Sequence, residues 1–170
     1  MKQKAVTDSG YSSFISLAWG LSVLLLDQIS KLLVMARFAM HEVLPVIPGF
    51  FNLTFVTNTG AAFGLLAGEQ TLVRQLFFVA VALAALLFLY YSHRHFRDQG
   101  ALFAHAIGLI AGGAVGNLVD RLRLGAVVDF LDFYIGAYHW PAFNVADTAI
   151  CVGVGLFLLA SLRAPAQDDK

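Results

Sequence analysis

A chain of 170 residues that is 59% hydrophobic, only 13% charged and has a mean hydropathy of +0.75 is too apolar for an ordinary soluble domain, in which about a quarter of the residues carry charge. The formal net charge is zero, so no basic surface argues for nucleic acid. The single cysteine, Cys151, can form no internal disulfide and lies in an apolar run, where a small buried hydrophobe is expected.

A membrane-crossing helix needs roughly 20 mostly apolar residues, and four stretches qualify: about residues 14–34, 71–91, 101–119 and 142–162. The first follows Lys2 and Lys4, as a secretory signal would. Its apolar run is long, however, and no small-x-small cleavage site follows, so an uncleaved first span is expected. Asp27 and Lys31 stand in its later part at i and i+4, where they can neutralise each other; Lys31 can instead extend to the interface. After Pro45, Pro48 and Gly49, residues 50–57 (FFNLTFVT) have the β-branched and aromatic richness of a strand. Asn58-Thr59-Gly60-Ala61-Ala62-Phe63-Gly64 then supplies small residues that permit close backbone approach. Asn52-Leu53-Thr54 also fits a glycosylation sequon, a short and weak motif.

The second and third spans are joined by a basic turn, residues 92–98 (SHRHFRD). With Lys2, Lys4, Arg163 and Lys170 it predicts cytoplasmic termini and an outward placement of residues 35–70 and 121–141, although Lys31, Arg37, Arg121 and Arg123 dilute the contrast. The third span ends on Asn117, Asp120 and Arg121 after glycines 112, 113 and 116, which suit close helix packing. Asp129 and Asp132 follow in the second outer loop, Asp132 reading as a solvated carboxylate. Asn144 and Asp147 open the fourth span. Residues 164–170 read as a disordered tail, and one domain covers residues 1–170 without repeats.

Because successive spans alternate in direction, Asp27, Lys31, Asn117, Asp120, Arg121, Asp129, Asn144 and Asp147 should meet in one layer near the outer interface. Helical spacing places Asn117, Asp120 and Arg121 on one face and Asn144 and Asp147 on another. Two close carboxylates share a proton, so one can activate water while the other protonates a substrate oxygen, which is aspartic-peptidase chemistry without metal or cofactor. His41, His93, His95, His105 and His139 are scattered, and neither H-E-x-x-H nor G-x-S-x-G occurs. Ser30 and Lys31 are adjacent and cannot face each other on a helix. Asp120 and Arg121 also fit a purely structural ion-pair network, and spacing does not choose between Asp129 and Asp120. A proton-coupled transporter and a non-catalytic lipid- or peptide-binding subunit are the competing classes. The almost wholly apolar inner halves of the spans, with only Arg74 and Gln75 near the outer end of the second, argue against the former.

Asn58-Thr59-Gly60-Ala61-Ala62-Phe63, Gly116-Asn117-Leu118-Val119-Asp120-Arg121, Val128-Asp129-Phe130 and Phe143-Asn144-Val145-Ala146-Asp147, in this order among four spans, resemble the bacterial lipoprotein signal peptidases, or signal peptidase II. The resemblance implies an all-α membrane protein, a four-transmembrane-helix bundle with a small extracytoplasmic β-sheet cradle. It also implies an aspartic endopeptidase of the bacterial inner membrane, without metal or cofactor, cleaving diacylglyceryl-modified prolipoproteins just before the lipidated cysteine. Asp129 and Asp147 would be the catalytic pair. Asp27, Lys31, Asn58, Gly60, Gly113, Asn117, Asp120, Arg121, Asn144 and Ala146 would line or support the site. Membrane lipids are the other implied partner, and a monomer acting near the periplasmic face is expected.

Overall fold

The structure, a computed structural model, describes residues 2–60, 71–96 and 100–163, with residues 2–9 described by backbone alone. Four long helices carry the expected spans: α1 (Lys2–Arg37), α2 (Leu72–Phe96), α3 (Ala101–Leu124) and α4 (Val145–Arg163). Each is long and apolar enough to cross a membrane, the first over Gly10–Arg37. Large apolar side chains such as Leu25, Leu26, Val73, Leu83 and Leu158 stand exposed around the bundle, as a lipid-facing surface requires.

Helix α3 is the central post, because its small residues let neighbours come close. A Cβ added at Gly108 or Gly112 would lie 2.6 Å from the backbone oxygen of Ser16 or Gly20 on α1. One added at Gly113 would meet the Ala146 carbonyl oxygen on α4, and Gly153 of α4 stands against Ala106 and Ile110 of α3. Lipid supplies no hydrophobic drive between helices, so close backbone packing of this kind holds them together. At the end remote from the sheet, Phe96, Phe103 and Phe157 join α2, α3 and α4 with ring centroids 4.7–5.6 Å apart.

The connections α1–α2 and α3–α4 both lie at one end and together form an antiparallel sheet of order β1-β2-β3-β4. Its strands are β1 (Val43–Ile47), β2 (Phe51–Asn58), β3 (Val127–Ile135) and β4 (Tyr138–His139). The expected strand at residues 50–57 is β2. Its alternation is inverted relative to a water-facing sheet, since polar Asn52 and Thr54 are buried while apolar β1 is exposed along its length. Pro45 is tolerated because β1 is an edge strand. Between Leu53 and Val56 the register to β3 slips, Thr54 and Phe55 on β2 opposing Phe130 on β3, which places a β-bulge beside Asp129.

Three features differ from the sequence reading. Residues 121–141 are not plain loop: α3 runs on to Leu124 and stops at Gly125, whose φ of 72° is the left-handed turn that favours glycine, and β3 follows. The fourth helix begins at Val145 rather than near 142, because Phe143 bridges to Leu131 of the sheet. The helix ends remote from the sheet are less apolar than expected, with Ser13 and Ser16 hydroxyls 3.1 and 3.4 Å from His93 and the Trp19 indole donating to His105 Nδ1 at 2.6 Å. Of the basic turn, residues 92–96 close α2, whereas Arg97 and Asp98, residues 61–64 and the tail 164–170 lie outside the described residues.

Candidate active site

Toward the sheet end of the bundle Lys31 is almost wholly buried, only 1% exposed. It does not extend to the interface. Its ammonium donates to Asp27 Oδ2 at 2.8 Å, Asp120 Oδ2 at 2.8 Å and Asn117 Oδ1 at 3.0 Å, one acceptor for each of its three hydrogens. Such full satisfaction is what a buried ammonium needs. Asp27 Oδ1 accepts the Ala146 backbone N–H at 2.9 Å, and Asp120 Oδ2 accepts the Val128 N–H at 3.1 Å. One ion cluster therefore fixes both the first turn of α4 and the residue before Asp129. Gln28 closes it with its amide, donating to Asp27 Oδ2 at 3.1 Å, Asp120 Oδ1 at 3.0 Å and the Gly116 carbonyl at 3.2 Å. Gly116 has no room for a side chain, because a Cβ there would stand 2.5 Å from Asp27 Oδ2.

Asp129 and Asp147 are held differently, by amides rather than by a cation. Asn144 caps α4: its Oδ1 accepts the Asp147 N–H at 2.9 Å, and Asp147 Oδ2 accepts the Asn144 N–H at 3.2 Å, a reciprocal capping box. Its Nδ2 donates to Asp129 Oδ1 at 2.7 Å, Val128 O at 3.1 Å and Asn117 Oδ1 at 3.3 Å. Asn117 Nδ2 in turn donates to Asp147 Oδ1 at 2.8 Å. Two asparagines thus link β3, α3 and α4, and both carboxyls line a common cavity.

That cavity, of about 470 Å³, is lined by Asp129, Asp147, Asn58, Asn117 and Arg121, with the remaining wall largely apolar and including Trp140 and Phe143. Burial, followed by the neighbouring charge of Asp147, pushes the Asp129 carboxyl up to about 7, against hydrogen bonds from Asn144 and Asn58. Arg121 donates to the Gly60 carbonyl at 3.1 Å and lies over the Phe78 ring at 5.2 Å, tying the Asn58–Gly60 turn to α3. Gly60 N donates to Asn58 Oδ1 at 2.9 Å, which orients that amide. No group of three His, Cys, Asp or Glu side chains suited to a metal occurs among the described residues.

The structure therefore gathers all twelve expected site residues into one linked region, with Asp120 on Lys31 and Asp129 on the cavity. Two expectations fail. Asp132 is buried on β3, not solvated, and bonds Asn52 and His139. Cys151 is exposed at the cavity lip one helical turn past Asp147, not a buried hydrophobe. Gln28 and Trp140 were not anticipated. Gln28 neighbours Asp27 in sequence but reaches Asp120 only across helices, and Trp140 carried no signal beyond its aromatic type.

A family model described as signal peptidase (SPase) II matches residues 20–163 of this chain. The lipoprotein signal peptidase of Syntrophus aciditrophicus (strain SB) is 55% identical over 141 residues, covering 82% of this chain and 86% of that protein. The lipoprotein signal peptidase of Geobacter sulfurreducens is 48% identical over 143 residues, covering 84% and 88%. A bacterial membrane enzyme solved by the in meso method at 2.3 Å resolution superposes with a TM-score of 0.75 at 33% identity, covering 91% of this chain and 92% of that one.

Proposed function

This chain belongs to the signal peptidase II family, the lipoprotein signal peptidases, and from that membership we propose that it is an aspartic endopeptidase whose catalytic pair is Asp129 and Asp147. The family's work is removal of signal peptides from prolipoproteins. The observation that carries the catalytic assignment is the division of labour among the acids. Asp27 and Asp120 are committed to Lys31, whereas Asp129 and Asp147 open onto one cavity and are bridged by Asn117 and Asn144.

The pair carries one proton between its two carboxyls. The ionised member takes a proton from water as the water oxygen bonds to the scissile carbonyl carbon, and the protonated member gives its proton to the carbonyl oxygen. The tetrahedral diol then collapses: the C–N bond breaks, and the proton taken from water passes to the departing amine. A diol hydroxyl returns its proton to the other carboxyl, so the pair again carries one proton. Asn117 and Asn144 hold both carboxyls in place while these protons move, and the apolar wall limits competing water.

The substrate is a prolipoprotein whose cysteine already carries diacylglycerol, cut on the amino side of that cysteine. Acyl chains contribute on the order of 0.8 kcal/mol of membrane affinity per buried CH₂, so the scissile bond stays near the interface, where the sheet end of the bundle lies. Residues 43–57 contain no charged side chain, which fits a sheet resting in the headgroup zone. We place the protein as a monomer in the bacterial inner membrane, with both termini cytoplasmic and the cavity toward the periplasm. The test is cleavage of a purified diacylglyceryl-modified prolipoprotein by the wild type and by Asp129→Asn and Asp147→Asn. Either variant retaining near-normal cleavage removes that residue from the pair.

A further inference from the structure

A second polar cluster sits in the sheet, where β2, β3 and β4 meet on Asp132. Asp132 is buried; Asn52 Nδ2 of β2 donates to its Oδ2 at 2.8 Å, and His139 Nδ1 of β4 lies 2.8 Å from its Oδ1. A carboxylate only accepts, so the imidazole donates through Nδ1. The His139 ring stacks on Tyr134, with centroids 4.8 Å apart and planes 7° from parallel. The Tyr134 hydroxyl accepts the Gly49 N–H at 2.8 Å, so the same cluster also ties down the β1–β2 turn.

Strand β4 is only two residues long, and a ladder that short has little stability of its own. Yet the chain immediately after it, Trp140 to Phe143, forms one wall of the catalytic cavity. We propose that Asp132 and His139 are positioning residues for substrate: through β4 they hold the Trp140–Phe143 rim in the shape that receives the lipid-modified peptide. The inference rests on the catalytic reading above. It assigns no proton transfer to either residue, since neither lines the cavity.

The experiment measures kcat and KM separately for His139→Leu, His139→Asn and Asp132→Asn, with the full-length protein in lipid vesicles and a diacylglyceryl-modified prolipoprotein. His139→Leu removes the donor; the asparagine amide in His139→Asn restores a donor near the Nδ1 position. Because His139 is half-exposed, the bond is modest, and KM is expected to rise about fivefold in His139→Leu with kcat within a factor of two. His139→Asn should recover most of that loss. Combining His139→Leu with Asp132→Asn should raise KM less than the product of the two single effects. In a Trp19→Phe background Trp140 is the only indole, and His139→Leu should shift its emission. An unchanged KM with unchanged emission, or a fall in kcat alone, overturns the proposal. If Asp132→Asn fails to fold, the His139 pair of variants decides the matter alone. Asp129→Asn is assayed beside them: cleavage surviving there sinks the catalytic reading, whereas an inactive Asp129→Asn with a normal His139→Leu sinks only this inference.

Discussion

Replacing Asp129 with asparagine should abolish cleavage and, at neutral to alkaline pH, stabilise the fold. Burial and the Asp147 charge raise this carboxyl from its ordinary value near 3.8 to about 7. A change of that size disfavours the charged form in the folded state by about 4 kcal/mol. The sign follows from linkage. Below about pH 4 the group is neutral in folded and unfolded chains alike, so it costs nothing. Between pH 4 and 7 the folded chain keeps a proton that the unfolded chain releases, and stability falls as pH rises. Above 7 the penalty is complete. Asparagine never ionises, so it escapes the penalty, but it has one acceptor oxygen for the donors of Asn144 and Asn58 and loses about 1–2 kcal/mol in hydrogen bonding. The net is a gain of about 2 kcal/mol at pH 8, on the order of 5 °C in Tm, shrinking to zero or reversing near pH 4. Thermal unfolding of wild type and variant in one detergent across that range measures it. A variant less stable at pH 8, or a difference that ignores pH, would refute the burial argument.

Further outcomes follow from the same geometry. Asp147→Asn should insert normally but leave lipid-modified prolipoprotein uncut, as read by accumulation of precursor. The wild-type pH profile of kcat should fall above about 7, as Asp129 loses the proton the mechanism needs; a flat profile to pH 9 would exclude it. Lys31→Met strands two buried carboxylates and should cost about 3–5 kcal/mol, seen as loss of folded protein, whereas Asp120→Asn should lower stability less and leave the folded fraction active. Gly113→Ala drives a methyl into the Ala146 carbonyl and should lower kcat by displacing the first turn of α4, with membrane insertion unchanged. Deleting the Asn58–Gly60 turn, whose Asn58 lines the cavity, should raise KM; unchanged kinetics would show that the turn does not cover the peptide.

Much was legible in the order of residues. Apolar runs marked four spans because each must bury roughly 20 residues in hydrocarbon whatever its neighbours are. The i, i+3 and i+4 spacings correctly grouped Asn117 with Asp120 and Asn144 with Asp147, since that geometry is local to a chain segment. The polar residues could be expected at one end because alternating spans leave no other arrangement.

What lay beyond the sequence was every choice made across elements. Nothing local tells that Lys31 pairs with Asp120 as well as Asp27, which leaves Asp129 to the cavity. Residues 127–135 read as loop despite their β-branched and aromatic content, because the partner that makes them a strand, β2, comes from the other connection. Asp132 looked solvated for the same reason, its two donors being supplied by β2 and β4. The sequence by itself determined that the chain spans a membrane and carries acids at one end. Only the tertiary structure decided which acids are neutralised and which stay open, because that depends on where a buried ammonium and two asparagine amides come to rest.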